Sequence, residues 1–472
     1  MFEYISKYFV SKIIPAITTV LSISLFTKYL SPEEYGLYSL SLSISVGLSL
    51  IFFQWLNVSV GRYIPAIKDE QDKKKMITTI LVSFVVISIF LLIANLGLSY
   101  ISDYSFFVNY VGVLAITIAW FELNQKLNNS LFDPKSYTIS LGAKNILAVL
   151  LGGVGLYLGY DGRAIIVTLV LSQIISVMNN YKIWKNTNVQ YLDLNLLKRI
   201  LRYGLPLTLT FLMIFIINSS GKFILNELMG EIYVGYFSVT YDLAQLLLIT
   251  ICGILNLATY PIVIDAFSKS KELANKKLQD VFLIVIGVTI PVALGLISVR
   301  SEVTYLFIDM QYYEYVIQLL PIILGALFLS ALKSAYFDYA FHLSEKTGMQ
   351  SLAVIISALT CIILNYVLIP MFGIIGAAYA SLFSYATYLV GCIFIGSLVY
   401  KLPPIKINDT CSIVVSALIM FYIVSGIVVD SKIISLLLKV GVGVFVYSSL
   451  LVFFNVMGVK EYIFKKYIVN IK

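Results

Sequence analysis

Histidine is nearly absent from this sequence: His342 is the only one and falls at the cytoplasmic end of an apolar run, so neither a catalytic triad nor a metal site built on imidazoles is expected. The four cysteines, Cys252, Cys361, Cys392 and Cys411, lie within or beside apolar runs and form no Cys-x-x-Cys pair. They are expected to be small packing residues, neither disulfide partners nor metal ligands. A phosphate-cradling loop is missing too. Ser220-Gly221-Lys222-Phe223 lacks both the upstream glycine and the following Ser or Thr, and Gly152-Gly153-Val154-Gly155 sits inside an apolar run, where it is expected to let helices approach closely. No paired acids stand where a membrane enzyme would need them. The chain is therefore expected to be no enzyme and to need no cofactor or metal.

Charge is scarce, at 12% of residues, whereas 60% are hydrophobic and the mean hydropathy is +0.92. A soluble core cannot use that much apolar surface, so lipid is the solvent for most side chains. The pattern predicts an all-α, polytopic membrane protein of about fourteen spans near 13–30, 37–58, 77–100, 108–125, 139–158, 164–184, 205–228, 233–260, 281–299, 314–337, 350–369, 374–398, 411–429 and 433–457. Cationic residues crowd every second joint. One side collects Lys7 and Lys12, the run from Arg62 to Lys75, then Lys126, Lys135, Lys144, Lys182 to Arg202, Lys269 to Lys277, Lys333, Lys346, Lys401, Lys406 and Lys460 to Lys472. The other holds Lys28, Arg163, Arg300, Lys432 and Lys439. By the positive-inside rule both termini are cytoplasmic and the number of crossings is even. The net charge of +8 then follows from cations facing an anionic inner leaflet, and nucleic acid is not an expected partner. Lys7 and Lys12 precede a full-length span, so the first helix is expected to be retained and not cleaved.

An internal repeat suggests two lobes. Pro15 followed by Tyr35-Gly36-Leu37-Tyr38-Ser39 is echoed by Pro206 followed by Val234-Gly235-Tyr236-Phe237-Ser238, about 200 residues later. Ser140-Leu141 through Gly162-Arg163-Ala164 is echoed by Ser351-Leu352 through Gly376-Ala377-Ala378. The simplest reading has two pseudo-symmetric six-helix lobes, residues 1–184 and 205–400, with two further helices and a cytoplasmic tail in 401–472. Residues 185–204 carry Leu192, Leu196, Leu197, Ile200 and Leu201 beside Lys198, Arg199 and Arg202, which predicts a helical linker in the headgroup plane. Parallel repeats of this kind place a substrate site between lobes. Pro261, Pro291 and Pro321 in the second lobe are positions where helices bend.

Ionisable residues at membrane depth cost roughly 2.5 to 3.5 kcal/mol each unless paired or hydrated, so each asks for an explanation. Asp242, well inside the eighth span, could bind a coupling cation or carry a proton, or be a neutral acid bonded to a neighbouring helix. Lys222 near the outer end of the seventh span either snorkels or contacts an anion. Arg62 is an inner-end anchor or a bidentate phosphate clamp. Glu122 and Lys126 stand four apart, a spacing at which they would neutralise one another, with Lys144 in a similar balance. Lys333 and Asp338 are five apart, about 140° around a regular helix, so each is expected to need its own partner. Arg62, Lys222, Lys144 and Lys333 are thus the candidate cationic contacts for a substrate, and Asp242 and Glu122 the candidates for sodium or proton coupling. Tyr236 and Tyr241 are candidate rings for stacking on sugars, among 34 tyrosines that mostly suit interfacial belts.

Three stretches resemble the polysaccharide transporter family, the Wzx-type oligosaccharide flippases of the multidrug/oligosaccharidyl-lipid/polysaccharide exporter superfamily. These are Tyr29-Leu30-Ser31-Pro32-Glu33-Glu34-Tyr35-Gly36-Leu37-Tyr38-Ser39, Arg202-Tyr203-Gly204-Leu205-Pro206-Leu207, and Asn365-Tyr366-Val367-Leu368-Ile369-Pro370 with Phe372-Gly373-Ile374-Ile375-Gly376-Ala377-Ala378. The resemblance implies alternating-access flipping of undecaprenyl-diphosphate-linked oligosaccharide across a bacterial cytoplasmic membrane, for O-antigen, capsule or another surface glycan. A glycan polymerase and a chain-length regulator are the partners it implies, besides membrane lipid. Members often present arginines to the cavity, whereas this chain has only Arg62 well placed for that, and lysines would substitute as point charges. The rival expectation is a cation-coupled multidrug exporter of the same superfamily, whose cavity would be acidic.

Overall fold

The computed structural model describes residues 2–101, 105–185, 187–458 and 460. Lys465, Lys466 and Lys472 lie outside the described residues, as do the side chains of Lys7 and Lys12. Fourteen principal helices carry the expected spans: α1 (Phe2–Tyr29), α2 (Pro32–Tyr63), α3 (Glu70–Ile101), α4 (Ser105–Ser130), α5 (Pro134–Tyr157), α6 (Gly162–Val177), α7 (Leu194–Met229), α8 (Glu231–Lys269), α9 (Lys271–Ser298), α10 (Tyr313–Leu332), α11 (Thr347–Phe372), α12 (Ile374–Val399), α13 (Ile407–Ser425) and α14 (Lys432–Phe453). Among the described residues, twelve helical stretches are long and apolar enough to cross a bilayer, with Ile14–Tyr29 a shorter apolar helix. This is a multi-pass, all-α membrane protein.

The turns follow from their capping residues. Ser31 closes a capping box at the start of α2: its hydroxyl accepts from the Glu34 amide (3.2 Å), and the Glu34 carboxylate accepts from the Ser31 amide (2.9 Å). Pro32 sits at the first helical position, where its missing N–H costs nothing. Asp133, Asp161, Asp193 and Ser270 cap α5, α6, α7 and α9 in the same way. Asp193 starts α7 well before the membrane, and Pro206 does not break it, so residues 194–204 form the first turns of one continuous helix ending at Met229. Ile200 is buried on that stretch, packed with Leu196, Leu197 and Leu201 against α2, α3 and α4.

Contacts divide the chain into two compact units, Met1–Ser238 and Val239–Lys472, with the division falling inside α8. In the first unit α2 is central, packed on α4 and α7, while α5 packs on α1 and α6. Its apolar core joins Phe53, Leu56 and Val60 of α2 to Met76, Ile80 and Phe84 of α3 and Leu123 and Leu127 of α4. In the second unit α12 packs on α10 and α11, α9 on α13, and α13 on α14. Its core gathers Val281, Phe282 and Val285 of α9, Tyr336 and Tyr339, and Ile413 of α13. Outward-facing apolar side chains such as Ile93 and Leu96 on α3 and Val444 and Phe445 on α14 are exposed as lipid contacts require.

The first repeat has a physical basis inside the first unit. A Cβ at Gly36 would overlap the Glu231 carbonyl, and one at Gly235 would overlap the Pro32 carbonyl. Each glycine thus admits the carbonyl four residues before the other, and Ser39 donates to Ser238 at 2.8 Å one turn further on. Two helix starts cross backbone to backbone, which only glycine permits. Gly204 is constrained likewise, since a Cβ there would stand 2.9 Å from Trp55 Cα.

Candidate functional site

A polar cleft in the first unit opens between α2, α4, α5 and α7. It encloses about 460 Å³ and is lined by Gln54, Asn57 and Val58 of α2, Phe121, Glu122, Gln125, Lys126 and Asn129 of α4, Tyr137 and Leu141 of α5, and Phe211 of α7. Glu122 lies eight residues before the end of α4, a rise of about 12 Å, yet its side chain is exposed. A carboxylate at that depth is tolerated when it faces a wet cavity, and the cleft supplies one.

The amides are fixed by their neighbours. Asn57 Nδ2 donates to Gln54 Oε1 at 3.3 Å, and Gln125 Nε2 donates to the Tyr137 carbonyl at 3.3 Å. Because the Gln125 nitrogen faces a backbone carbonyl, flipping that amide would set two oxygens against each other. That orientation leaves Asn57 Oδ1 and Gln125 Oε1 buried with no hydrogen-bond partner. Lys126 does not form the expected ion pair with Glu122; its side chain lies in the space that a Cβ on Gly61 would take, with Nζ 2.9 Å from that position. Exposure of Glu122 to the cleft removes the need for an in-helix partner. Lys144 interacts electrostatically with Glu122 and stands 4.8 Å from the centre of the Phe121 ring. The structure therefore places Glu122 and Lys126 in one cleft, with Lys144 next to Glu122 and Phe121.

The remaining candidates lie elsewhere. Arg62, in the last turn of α2, is exposed. Lys222 is buried and donates to Ser39 at 3.0 Å, beside the Ser39–Ser238 bond, so it fastens α7 to α2. Asp242 is half-buried on α8, next to Tyr241, whose hydroxyl lies 3.3 Å from that of Tyr385. Tyr236 is half-buried.

Lys333 corrects the sequence expectation. It pairs directly with Asp338, Nζ to Oδ2 at 2.9 Å, although the two are five residues apart. Residues Lys333–Phe337 form a π-turn in which the Asp338 amide donates to the Lys333 carbonyl at 3.0 Å. The wider turn brings residue i+5 back over residue i, where a regular helix would hold them apart. The ammonium also lies 4.0 Å from the centre of the Tyr388 ring, and all three side chains are buried. Sequence reasoning found neither this turn nor the second buried pair of this unit, Lys439 with Glu302 at 2.7 Å. Burial works against the Glu302 charge, but the hydrogen bonds from Lys439 and Ser435 outweigh it and hold the carboxyl below its ordinary value. Cys252, Cys361 and Cys392 are buried thiols outside any disulfide, and Cys411 is exposed.

The family model described as "Polysaccharide biosynthesis protein" matches residues 25–317. No curated protein matches by sequence. Among solved structures, the fold is similar to the lipid II flippase MurJ in an inward closed conformation, with a TM-score of 0.78 at 15% identity, covering 96% of this chain and 99% of that one. An inward-facing multidrug resistance MATE transporter of the MOP superfamily gives a TM-score of 0.60 at 17% identity, covering 83% and 98%. A MOP superfamily transporter from Pyrococcus furiosus gives 0.50 at 16% identity, covering 83% and 96%. With most of its length matched by the family model, the chain belongs to the polysaccharide biosynthesis protein family, and its helices are arranged as in these transporters.

Proposed function

We propose that the protein is a flippase for lipid-linked oligosaccharide, moving undecaprenyl-diphosphate-linked repeat units outward across a bacterial cytoplasmic membrane during assembly of O-antigen, capsule or a related glycan. The observation that carries this reading is a polar cleft at membrane depth in a chain of this family. Each sugar hydroxyl taken into hydrocarbon without a partner costs roughly 4 to 8 kcal/mol, so a glycan cannot cross lipid unaided. Amides and charged groups facing a wet cleft replace those lost water contacts while the polyprenyl tail stays in lipid. Alternating access then exposes the loaded site first to one face and then to the other. A membrane potential positive outside favours outward movement of the anionic diphosphate by about 2.3 kcal/mol per charge per 100 mV. Sodium or proton coupling through Glu122 or Asp242 belongs to the same proposal, as do cytoplasmic termini and cooperation with a polymerase and a chain-length regulator. The protein acts as a transporter and makes or breaks no covalent bond.

Glu122 favours a second reading, a cation-coupled drug exporter of the same fold, because a carboxylate in a cleft attracts cationic ligands. Lys126 in the same lining makes it mixed in charge, which suits a hydroxylated cargo better. Deletion of the gene separates the two. A flippase leaves lipid-linked oligosaccharide stranded on the inner face with loss of surface glycan; unchanged glycan together with increased drug sensitivity overturns the proposal in favour of the exporter.

A further inference from the structure

On the side of the membrane where the sequence collects most of its cations, the second unit carries a cleft of about 630 Å³ between the π-turn, α12 and the loop leading into α13. That volume falls within the range of small-ligand sites, roughly 300 to 1,000 Å³. Most of the lining is apolar, and three of its isoleucines, Ile393, Ile405 and Ile407, are 44%, 41% and 71% exposed, an open mouth that suits acyl chains. The loop is a fixed wall. Pro403 and Pro404 lock their own φ and favour an extended Leu402. Gln279 of α9 donates to the Pro404 carbonyl at 2.9 Å, Tyr400 donates to Asn275 at 3.1 Å, and Lys406 pairs with Asp280 at 3.4 Å. These three ties hold the loop against α9, so it walls the cleft and does not fill it.

The rim carries charge of one sign. Lys401 is the only charged residue of the lining, and Lys271, the first residue of α9, lies 5.5 Å from the centre of the Tyr400 ring, which also lines the cleft. Among the described residues neither lysine joins an ion pair, whereas Asp280 is taken by Lys406. Glu272 is exposed and outside the lining. A lysine in the first turn of a helix faces the positive end of the helix dipole, a position that favours an anion. Along α12 the lining runs from Ile393 to the helix end at Val399, a rise of about 9 Å. Cation and apolar floor thus follow one another as phosphate and acyl chain do in a lipid.

We propose that this cleft holds an anionic glycerophospholipid of the bilayer, its phosphate on Lys401 and Lys271 and an acyl chain on the isoleucines. The site is separate from the polar cleft of the first unit and stands whether or not the protein is a flippase. Basic pockets between spans at a membrane face suit anionic headgroups. Zwitterionic lipid fits less well, because its ammonium would meet Lys401 with no carboxylate in the lining to receive it. A polyprenyl diphosphate carries more negative charge than the rim neutralises. Lipid bound there stabilises the folded chain by mass action, which makes it measurable.

The test uses the purified full-length chain in detergent with phosphatidylglycerol, phosphatidylethanolamine and undecaprenyl diphosphate added singly and in pairs. Binding is read by native mass spectrometry and stabilisation by thermal melts. Phosphatidylglycerol is expected to bind about fivefold or more tighter than phosphatidylethanolamine and to raise the melting temperature. Lys271→Gln/Lys401→Gln is expected to remove that preference with the lipid-free melting temperature unchanged. Lys68→Gln/Lys74→Gln, at two exposed lysines near the start of α3, is expected to retain it. Ser397→Trp fills the cleft beside Lys401 and is expected to weaken phosphatidylglycerol binding about as much as the double lysine variant does. If it melts early, Ile407→Gln, at an exposed position, takes its place with the same expectation. Equal binding of the two phospholipids, a preference that survives Lys271→Gln/Lys401→Gln, or an equal loss in Lys68→Gln/Lys74→Gln overturns the proposal. Displacement of phosphatidylglycerol by equimolar undecaprenyl diphosphate overturns it too and assigns the cleft to a polyprenyl lipid.

Discussion

The two units treat charge inside the membrane in opposite ways. In the first, the ion pairs among the described residues, Lys73 with Glu70, Lys75 with Asp72 and Arg163 with Asp161, lie at exposed helix ends, while Glu122 and Lys126 face an open cleft. In the second, Lys269 with Asp265 and Lys406 with Asp280 are likewise solvent-facing, but Lys333 and Asp338, and Lys439 and Glu302, are buried and neutralise each other directly. Open charge at depth is maintained only where water or a ligand attends it; closed pairs hold helices together at the cost of desolvation. On the flippase reading proposed above, the open cleft of the first unit is where a hydrophilic cargo would be handled, and the closed pairs brace the second.

Removing one partner from each kind of site gives the sharpest test. Asp338→Ala strands the Lys333 ammonium beside Tyr388, and loss of one member of a buried pair costs about 3 to 5 kcal/mol. The expected result is a large drop in melting temperature in detergent, with most of it regained in Lys333→Met/Asp338→Leu. Glu122→Gln, the matching change in the open cleft, is expected to cost less than about 1 kcal/mol, since that side chain is exposed to the cleft and forms no direct ion pair. Equal losses in both variants would erase the distinction between the units.

The next effect in size tests the glycine crossing. Gly36→Ala places a methyl group where the Glu231 carbonyl already is, and relief requires the α2 and α8 starts to separate, stretching the Ser39–Ser238 bond. Overpacking of this sort costs about 1 to 3 kcal/mol. Gly253→Ala meets open space and is expected to be neutral or stabilising, as alanine is the better helix former. Thermal melts of the two variants decide the matter.

How far the sequence could be read follows from the same physics. Span positions were legible because bilayer thickness fixes the length of an apolar run, and each expected span coincides with a helix. The Gly36 and Gly235 echo was legible because a close backbone crossing demands the same residue on both sides. The Lys333–Asp338 pair was misread because helical-wheel reasoning assumes a regular turn, and nothing local in Lys-Ser-Ala-Tyr-Phe announces a π-turn; Tyr388, which shares the ammonium, is 55 positions away. Glu122 was visible as an oddity at depth, but its cleft partners come from α2, α5 and α7, which sequence spacing cannot join.

Acid sharpens the comparison from the side of the second unit. The Glu302 carboxyl titrates below its ordinary value of 4.5, so the folded state binds its proton less readily than the unfolded chain does. The stabilisation is present above that value and is lost as pH falls through the lower folded value. Since Glu302 joins the short helix Arg300–Phe307 to Lys439 and Ser435 on α14, that helix is expected to loosen first below pH 4.5. Cysteine labelling at an introduced Gly443→Cys, which packs near Met420 and Val424, should accelerate in that range in wild-type protein. In Glu302→Gln it should be fast already at neutral pH.

The smallest effect bears on how the cleft is held open. Asp133 accepts from the Ser136 amide at 3.0 Å and caps α5, and that hydrogen bond holds its carboxyl below the ordinary value. The same cap sets the first turn of α5, in which the Tyr137 amide donates to the Asp133 carbonyl and the Tyr137 carbonyl receives Gln125 Nε2. Asp133→Ala is expected to cost about 1 kcal/mol, the usual loss for an N-cap. Because the cap lies outside the cleft, stability should fall slightly while cargo binding weakens through a less constrained Gln125. Asp133→Asn keeps the cap oxygen and should restore both. Unchanged cargo binding in Asp133→Ala alongside the expected loss of stability would show that the cap does not govern the cleft.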